Sequence, residues 1–191
     1  WWASLMNVVL IGMKHCGKST IGKALAACWD CPFHDVDPMI ETTHECDSGE
    51  RLSVRQIFEQ RGEVHFHRIE GHVVCELYLM LDRPGSRAVV ALGGRTALNS
   101  TVCGLLRAIG PVVYLRVAPE LIFDRIERSG IPPFLNAGDP AGDFMALHHK
   151  RHPRYEELAD LMVDVQGLDP DEAVNVLEAK LDQHERACEQ L

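Results

Sequence analysis

One eight-residue stretch constrains this chain more than any other: Gly12-Met13-Lys14-His15-Cys16-Gly17-Lys18-Ser19, which fits G-x-x-x-x-G-K-[ST]. It follows an apolar run, Asn7–Ile11, and precedes a helical pattern, the context that lifts the motif above a chance glycine-rich turn. The glycines let successive backbone N–H groups point at phosphate oxygens, and the helix start behind them adds its dipole. In such a loop Lys18 reaches the β- and γ-phosphates and the Ser19 hydroxyl ligates Mg²⁺. Gly12, Lys14, Gly17, Lys18, Ser19 and Thr20 form the expected ATP-binding set, with Lys18 also catalytic.

Four further short runs resemble the first: Pro32–Asp35, Ala88–Leu92, Pro111–Val117 and Leu161–Val165. Three of the five are apolar almost throughout, which suits strands buried on both faces of a parallel sheet. Helical patterns lie between them. Ala118, Leu121, Ile122 and Ile126 share one face, as do Ala173, Val174, Leu177 and Leu181. Asp169 and Asp171 suit the start of the last helix. Strands alternating with helices predict βαβ units and a three-layer α/β sandwich around a five-stranded parallel sheet. Thr42–Ser53 and Ser129–Asp143 read as irregular, the second crowded with Gly and Pro and long enough for a lid.

With 191 residues the chain is expected to form one domain over 1–191. A net charge of −9 without a long basic run argues against a nucleic-acid partner, but it does not exclude small anions. No apolar run reaches about 18 residues, so no membrane span is expected. Trp1–Leu5 carries neither the basic region nor the long apolar stretch of a signal peptide, and Met6 is a candidate start. Seven scattered cysteines fit reduced thiols in a cytoplasm, and Cys28-x-x-Cys31 lacks a second ligand pair, so a structural role is expected. His148, His149 and His152 read as a solvated helix face because no Cys or Asp completes a metal site. Cys16 reads as a small residue in a permissive loop position, the alternative being an oxidisable thiol beside the phosphates.

A magnesium site needs an acidic partner near a strand end. Asp35-Val36-Asp37 is the best candidate, because alternate residues of an extended segment point the same way. One carboxylate would hold hydrated Mg²⁺ and the other would accept the proton of an attacking hydroxyl. The alternative is a plain helix cap before Pro38. ABC-type ATPases and helicases need more chain, and a GTPase would carry Asn-Lys-x-Asp, which does not occur. A small-molecule or nucleotide kinase is left.

At this level of detail the chain resembles shikimate kinases, from about Asn7 to Leu181. The resemblance rests on Gly17–Lys23 with Ala24-Leu25-Ala26, on Phe33–Asp37, and on Ile57-Phe58, Gly62-Glu63, Phe66 and Arg68-Ile69-Glu70. Leu92-Gly93-Gly94 and the spacing of Arg151, Tyr155 and Ala159 extend it. It implies a P-loop fold of the nucleoside-monophosphate-kinase-like type, with acceptor-binding helices at about 38–81 and a lid at about 129–145. It implies transfer of the ATP γ-phosphate to the 3-hydroxyl of shikimate with Mg²⁺ held by Ser19 and Asp35, in a cytoplasmic monomer. Asp37 would orient or deprotonate the acceptor, and His67, Gly93, Gly94, Arg95 and Arg151 would line its site. Arg128 matches a position that stacks on adenine, the alternative being a cation that complements a helix C-terminus.

Three departures fall in the acceptor site. His67 stands where the family has an arginine for the shikimate carboxylate, Arg95 where it has a third glycine, and Pro132-Pro133-Phe134-Leu135 where its lid reads Arg-Pro-Leu-Leu. Neutral His offers a single N–H and is mostly uncharged above pH ~6.5, so losing a charge-assisted bond of roughly 1.5–3 kcal/mol weakens binding about ten- to a hundredfold. A lost lid arginine costs about 10³-fold or more in rate, by analogy with arginine fingers. Arg95 either joins Arg151 in a rebuilt carboxylate clamp or points to solvent and blocks the pocket; Lys14 can replace some lid charge. The readings are therefore a shikimate kinase, a kinase for another small hydroxylated acid, or a weakly catalytic ATP-binding protein whose lid responds to nucleotide.

Overall fold

The computed structural model describes residues 6–132, 135 and 138–190; the candidate start at Met6 falls inside this range, whereas Trp1–Leu5, Pro133 and Phe134 lie outside it. The five apolar runs form strands β1 (Val8–Ile11), β2 (Phe33–Asp35), β3 (Val89–Ala91), β4 (Val112–Arg116) and β5 (Leu161–Asp164). They pair in the order β2-β3-β1-β4-β5, every pair parallel. β1 and β3 are buried along their whole length, which is why they read as unbroken apolar runs of Val, Leu, Ile and Ala.

Helices cover both faces. α1 (Lys18–Cys28) packs with α7 (Pro170–Cys188), and α3 (Val54–Leu81) packs with α4 (Cys103–Ile109). α2 (Val36–Ser48) lies against α3, and α5 (Pro119–Ser129) against α6 (Pro140–Leu158). The buried positions of α7 are Ala173, Val174, Leu177 and Leu181, and Asp169 caps it in a reciprocal box with Glu172. On α5, Ile122 and Ile126 are buried while Leu121 is half-buried.

The two stretches expected to be irregular are partly helical. Thr42–Ser48 continues α2, because Val36, Ile40 and His44 are buried at successive i+4 positions and His44 stands where an apolar residue would have signalled a helix. Gly49, at φ 73°, ends it. Within 129–143, α6 begins at Pro140, capped by Asp139, whose carboxylate accepts from Gly142 N at 2.9 Å. α3 is bent at Gly62, which has φ 80° and ψ 171°.

In this strand order the chain leaves β3 and crosses over β1 to reach β4. The loops after β1 and β3 therefore part at the carboxyl edge of the sheet, where open α/β sheets form their ligand crevice.

Candidate active site

The loop after β1 supplies the phosphate side. Gly12 has φ 142°, and a Cβ there would stand 2.9 Å from Leu115 O, so only glycine fits. Gly17 caps α1 with no side-chain hydrogen bond, which leaves the first N–H groups of that helix for a ligand's oxygens. Lys18 is only 8% exposed. Its ammonium folds back over the loop and donates to Gly12 O at 3.0 Å and Met13 O at 2.8 Å. Ser19 Oγ donates to Asp35 Oδ2 at 2.7 Å, and Thr20 is exposed one residue on.

Asp35 serves both readings of the acidic pair. It caps α2 by accepting from Asp37 N at 3.3 Å, and it meets the Ser19 hydroxyl. The geometric expectation for Asp37 needs correcting, however. β2 ends at Asp35, so Asp37 lies in the first turn of α2 and not on an extended segment. The turn carries its carboxylate to the β3 loop, where a Cβ on Gly93 would collide with Asp37 Oδ1. Burial, and then the neighbouring Asp35 carboxylate, pushes Asp37 above the ordinary carboxylate range; Lys18 and Lys14 pull the other way.

Beside this edge opens a cavity of about 330 Å³. Lys14, Asp37, Gly93, Gly94, Arg95 and Arg151 all line it, which brings six of the expected residues together. Arg151, on α6, is buried and donates to Gly94 O at 3.4 Å, while the Tyr155 hydroxyl donates to the same oxygen at 2.6 Å. The β3 loop is thus held from α6, and it touches the phosphate loop as well: a Cβ on Gly94 would be 3.3 Å from Lys14 N.

Arg95 does not point to solvent. Its guanidinium lies over the Phe58 ring, 3.6 Å from the centroid. Burial, and then the Arg151 charge, lowers its pKa. Pro132 also lines the cavity, and Leu135 is buried.

Two expected residues lie outside this lining. His67 is not among the described residues that line the cavity; its ring turns toward Glu63, with Nε2 3.9 Å from Oε1. The cavity receives Glu70 instead, one turn further along α3. Glu70 is buried, accepts from Asn99 Nδ2 at 3.0 Å, and is raised above its ordinary pKa by burial. Arg128 is exposed in the last turn of α5 and also lies outside the cavity lining. Arg125, three residues earlier, reaches the phosphate loop and donates to His15 O at 2.9 Å. The apolar stripe foretold this: at 100° per residue Arg125 lies about 60° from Ile122, and Arg128 about 120° away.

The histidines of α6 form a solvated face only in part, with His149 exposed. His148 is buried and stacked on His152, with centroids 5.2 Å apart, and His152 Nδ1 is 2.9 Å from the Tyr114 hydroxyl. Among the described residues no group of three or more His, Cys, Asp or Glu could hold a metal ion. Cys16 is buried beneath the loop, its Sγ 3.8 Å from Lys18 Nζ.

A family model described as shikimate kinase matches residues 14–182. The chain belongs to the shikimate kinase family. Among curated shikimate kinases, that of Thiobacillus denitrificans is 35% identical over 176 residues, covering 92% of this chain and 90% of its own length. That of a Synechococcus strain is 37% identical over 161 residues, covering 84% and 78%. Among solved structures, a shikimate kinase from Acinetobacter baumannii in complex with shikimate superposes with a TM-score of 0.78 at 31% identity, covering 95% of this chain and 96% of that one. As a member of the shikimate kinase family the chain is a P-loop ATP-dependent phosphotransferase. Its phosphate loop keeps the full pattern, and Arg95 and Pro132 line the cavity while His67 is not among its described lining residues.

Proposed function

We propose that this chain transfers the γ-phosphoryl group of ATP to the 3-hydroxyl of shikimate. One observation carries the reading: Lys14 of the phosphate loop, the Asp37 carboxylate and the Arg151 guanidinium face a single cavity. A donor phosphate, a proton acceptor and a cation for a carboxylate therefore meet in the arrangement that phosphoryl transfer to a hydroxy acid needs.

Lys18 leaves the loop carbonyls for the β- and γ-phosphate oxygens, and the N–H groups of Gly17 to Ser19 cradle them. Asp37 accepts the proton of the acceptor hydroxyl as its oxygen bonds to the γ-phosphorus and the bond to the ADP oxygen breaks. Arg151 holds the acceptor carboxylate, against the backbone of Gly93 and Gly94. Arg125 braces the loop, and the exposed planar guanidinium of Arg128 is assigned to the adenine. His67, turned to Glu63, is left a peripheral share in the acceptor site.

Ser19 and Asp35 suit Mg²⁺: they offer hard oxygens 2.7 Å apart at an exposed position. One or two protein oxygens suffice where phosphates and water complete the shell. When bound, the ion would neutralise charge on the phosphates. The same reading covers 1–191 as one kinase domain, acceptor helices at about 38–81 and a lid at about 129–145. It also makes the chain a cytoplasmic monomer without a nucleic-acid partner, which the net charge of −9 and the free cysteines support. Among the described residues no helix is long and apolar enough to cross a membrane.

A second reading, a related hydroxylated acid as acceptor, is favoured by His67, Arg95 and Pro132. ADP release with Mg-ATP, measured against shikimate and a panel of such acids, tests both. Saturable turnover on shikimate at ~1–100 s⁻¹ is expected. Turnover only with another acid selects the second reading, and tight ATP binding without turnover on any acid defeats both.

A further inference from the structure

Two guanidinium groups, Arg95 and Arg151, share one partly buried space, and among the described residues no nearby acid neutralises both. Arg151 is buried, and its Nε has no hydrogen-bond partner among the described residues; the same holds for the buried Nε of Arg95. The acids around them are otherwise engaged. Glu70 is committed to Asn99 and pushed toward its neutral form by burial, and Asp37 lies against Gly93 on the phosphate side. The ion-pair partner of Arg95 among the described residues is Glu63, with Oε1 3.8 Å from Nη2, which is beyond hydrogen-bond reach. Glu63 is also 62% exposed. The same oxygen stands 3.9 Å from His67 Nε2, so a side chain that starts from the β3 loop has arrived beside residue 67 of α3.

We propose that Arg95 determines acceptor specificity in this chain: with Arg151 it seats the acceptor's carboxylate, which displaces Glu63 as its counter-ion. The inference rests on the phosphotransfer reading above. Stacking on Phe58 fixes the guanidinium plane before the ligand arrives, so little rotamer freedom is lost when two parallel N–H···O bonds form. Glu63 holds the place from an exposed position and at a distance where an ion pair is weak. A guanidinium supplied from position 95 thereby restores what the imidazole at 67 cannot offer.

Calorimetric binding and steady-state rates with shikimate and its carboxamide, on the wild type and three variants, test this. Arg95→Gly is expected to raise the Kd and KM for shikimate ~10- to 100-fold, leave the Kd for ATP unchanged, and shrink the preference for the acid over the carboxamide. Arg95→Lys, which keeps the charge without the planar fork, recovers part of the loss and guards against a folding artefact in the glycine variant. Glu63→Gln is expected to tighten shikimate binding about two- to fivefold. An unchanged or lower Kd in Arg95→Gly overturns the proposal, as does weaker binding in Glu63→Gln or the absence of shikimate binding by the wild type. Wild-type turnover without an Arg95 effect overturns this inference alone. Arg95-dependent binding without turnover overturns the phosphotransfer reading and leaves this one standing.

Discussion

The two sides of the catalytic crevice are built in different ways. The phosphate side is made largely of backbone: the carbonyls of Gly12 and Met13, the open N–H groups at the start of α1, and one lysine that the loop itself holds in place. The acceptor side is made of side chains from three separate elements: Phe58 and Glu70 on α3, Arg95 after β3, and Arg151 and Tyr155 on α6. A site made of backbone needs particular glycines in one short run and has little room to change. In one assembled from side chains, a charge can move from one element to another and still reach the same space. The departures that the sequence resemblance implies fall accordingly, at 67, 95 and 132, while the eight residues from Gly12 to Ser19 fit their motif completely.

Four substitutions probe that contrast, beginning with the two most damaging. Lys18→Ala removes the one side chain the phosphate loop depends on, and ADP release is expected to fall about 10²–10³-fold or more. A smaller loss would mean that Lys14 or Arg125 shares its work. Asp37→Asn, at the junction of the two sides, is expected to lower kcat about 10²–10⁴-fold. Because burial raises Asp37, it is protonated, and inactive as a base, up to a higher pH than the ordinary 3.8. The wild-type rate should therefore rise with pH along an acid limb displaced above that value, and the limb should vanish in the variant. A rate profile that keeps it assigns the proton to another group.

These two residues also mark how much of the site could be read from the sequence. The phosphate loop was legible because all its parts are contiguous and each has a local backbone reason. β1, β3 and β4 were legible because burial on both faces writes a nearly unbroken apolar run, whereas β2 and β5 are only partly buried and carry a weaker signal. Asp37 reaches the cavity from the first turn of α2 and not along an extended segment, since the strand–helix boundary falls between it and Asp35. The second half of α2 was hidden because a buried histidine, His44, occupies an apolar position. Glu70 and Arg125 face the cavity and the phosphate loop but were given no site role from the sequence, because a motif records which residues accompany one another but not which helix face turns inward. The apolar stripe shows both: Arg125 lies close to Ile122, and Glu70 stands three to seven residues from Phe66, Val73, Val74 and Leu77, all buried beyond the bend at Gly62.

Two gentler substitutions test how firmly the acceptor side is held together. Tyr155→Phe deletes the hydroxyl that grips Gly94 O, and about 1 kcal/mol of folding stability should be lost, read as a lower urea midpoint at unchanged slope. If the β3 loop is held mainly from the phosphate side, the midpoint will not move. Glu70→Gln has the smallest effect, seen only as a change in pH dependence. Its pKa is raised in the folded chain, so the folded state binds more protons than the unfolded state from the ordinary 4.5 up to the raised value. Stability conferred by the neutral form is present below that window and declines as pH rises through it. Urea midpoints across pH should show this decline in the wild type and not in the variant; parallel curves would mean that Glu70 ionises freely.

Gly12 and Gly93 look alike in a motif, yet each is guarded by something different. A side chain at Gly12 would run into the carbonyl of Leu115, so β4 itself would have to give way. At Gly93 the first obstacle is the carboxylate of Asp37, the end of a side chain that can swing aside without disturbing the sheet. In a library of random variants scored once for folded protein and once for turnover, position 12 should be depleted in both screens. Position 93 should survive the first and fail the second, which would make it a place where the chain can lose its chemistry and keep its shape.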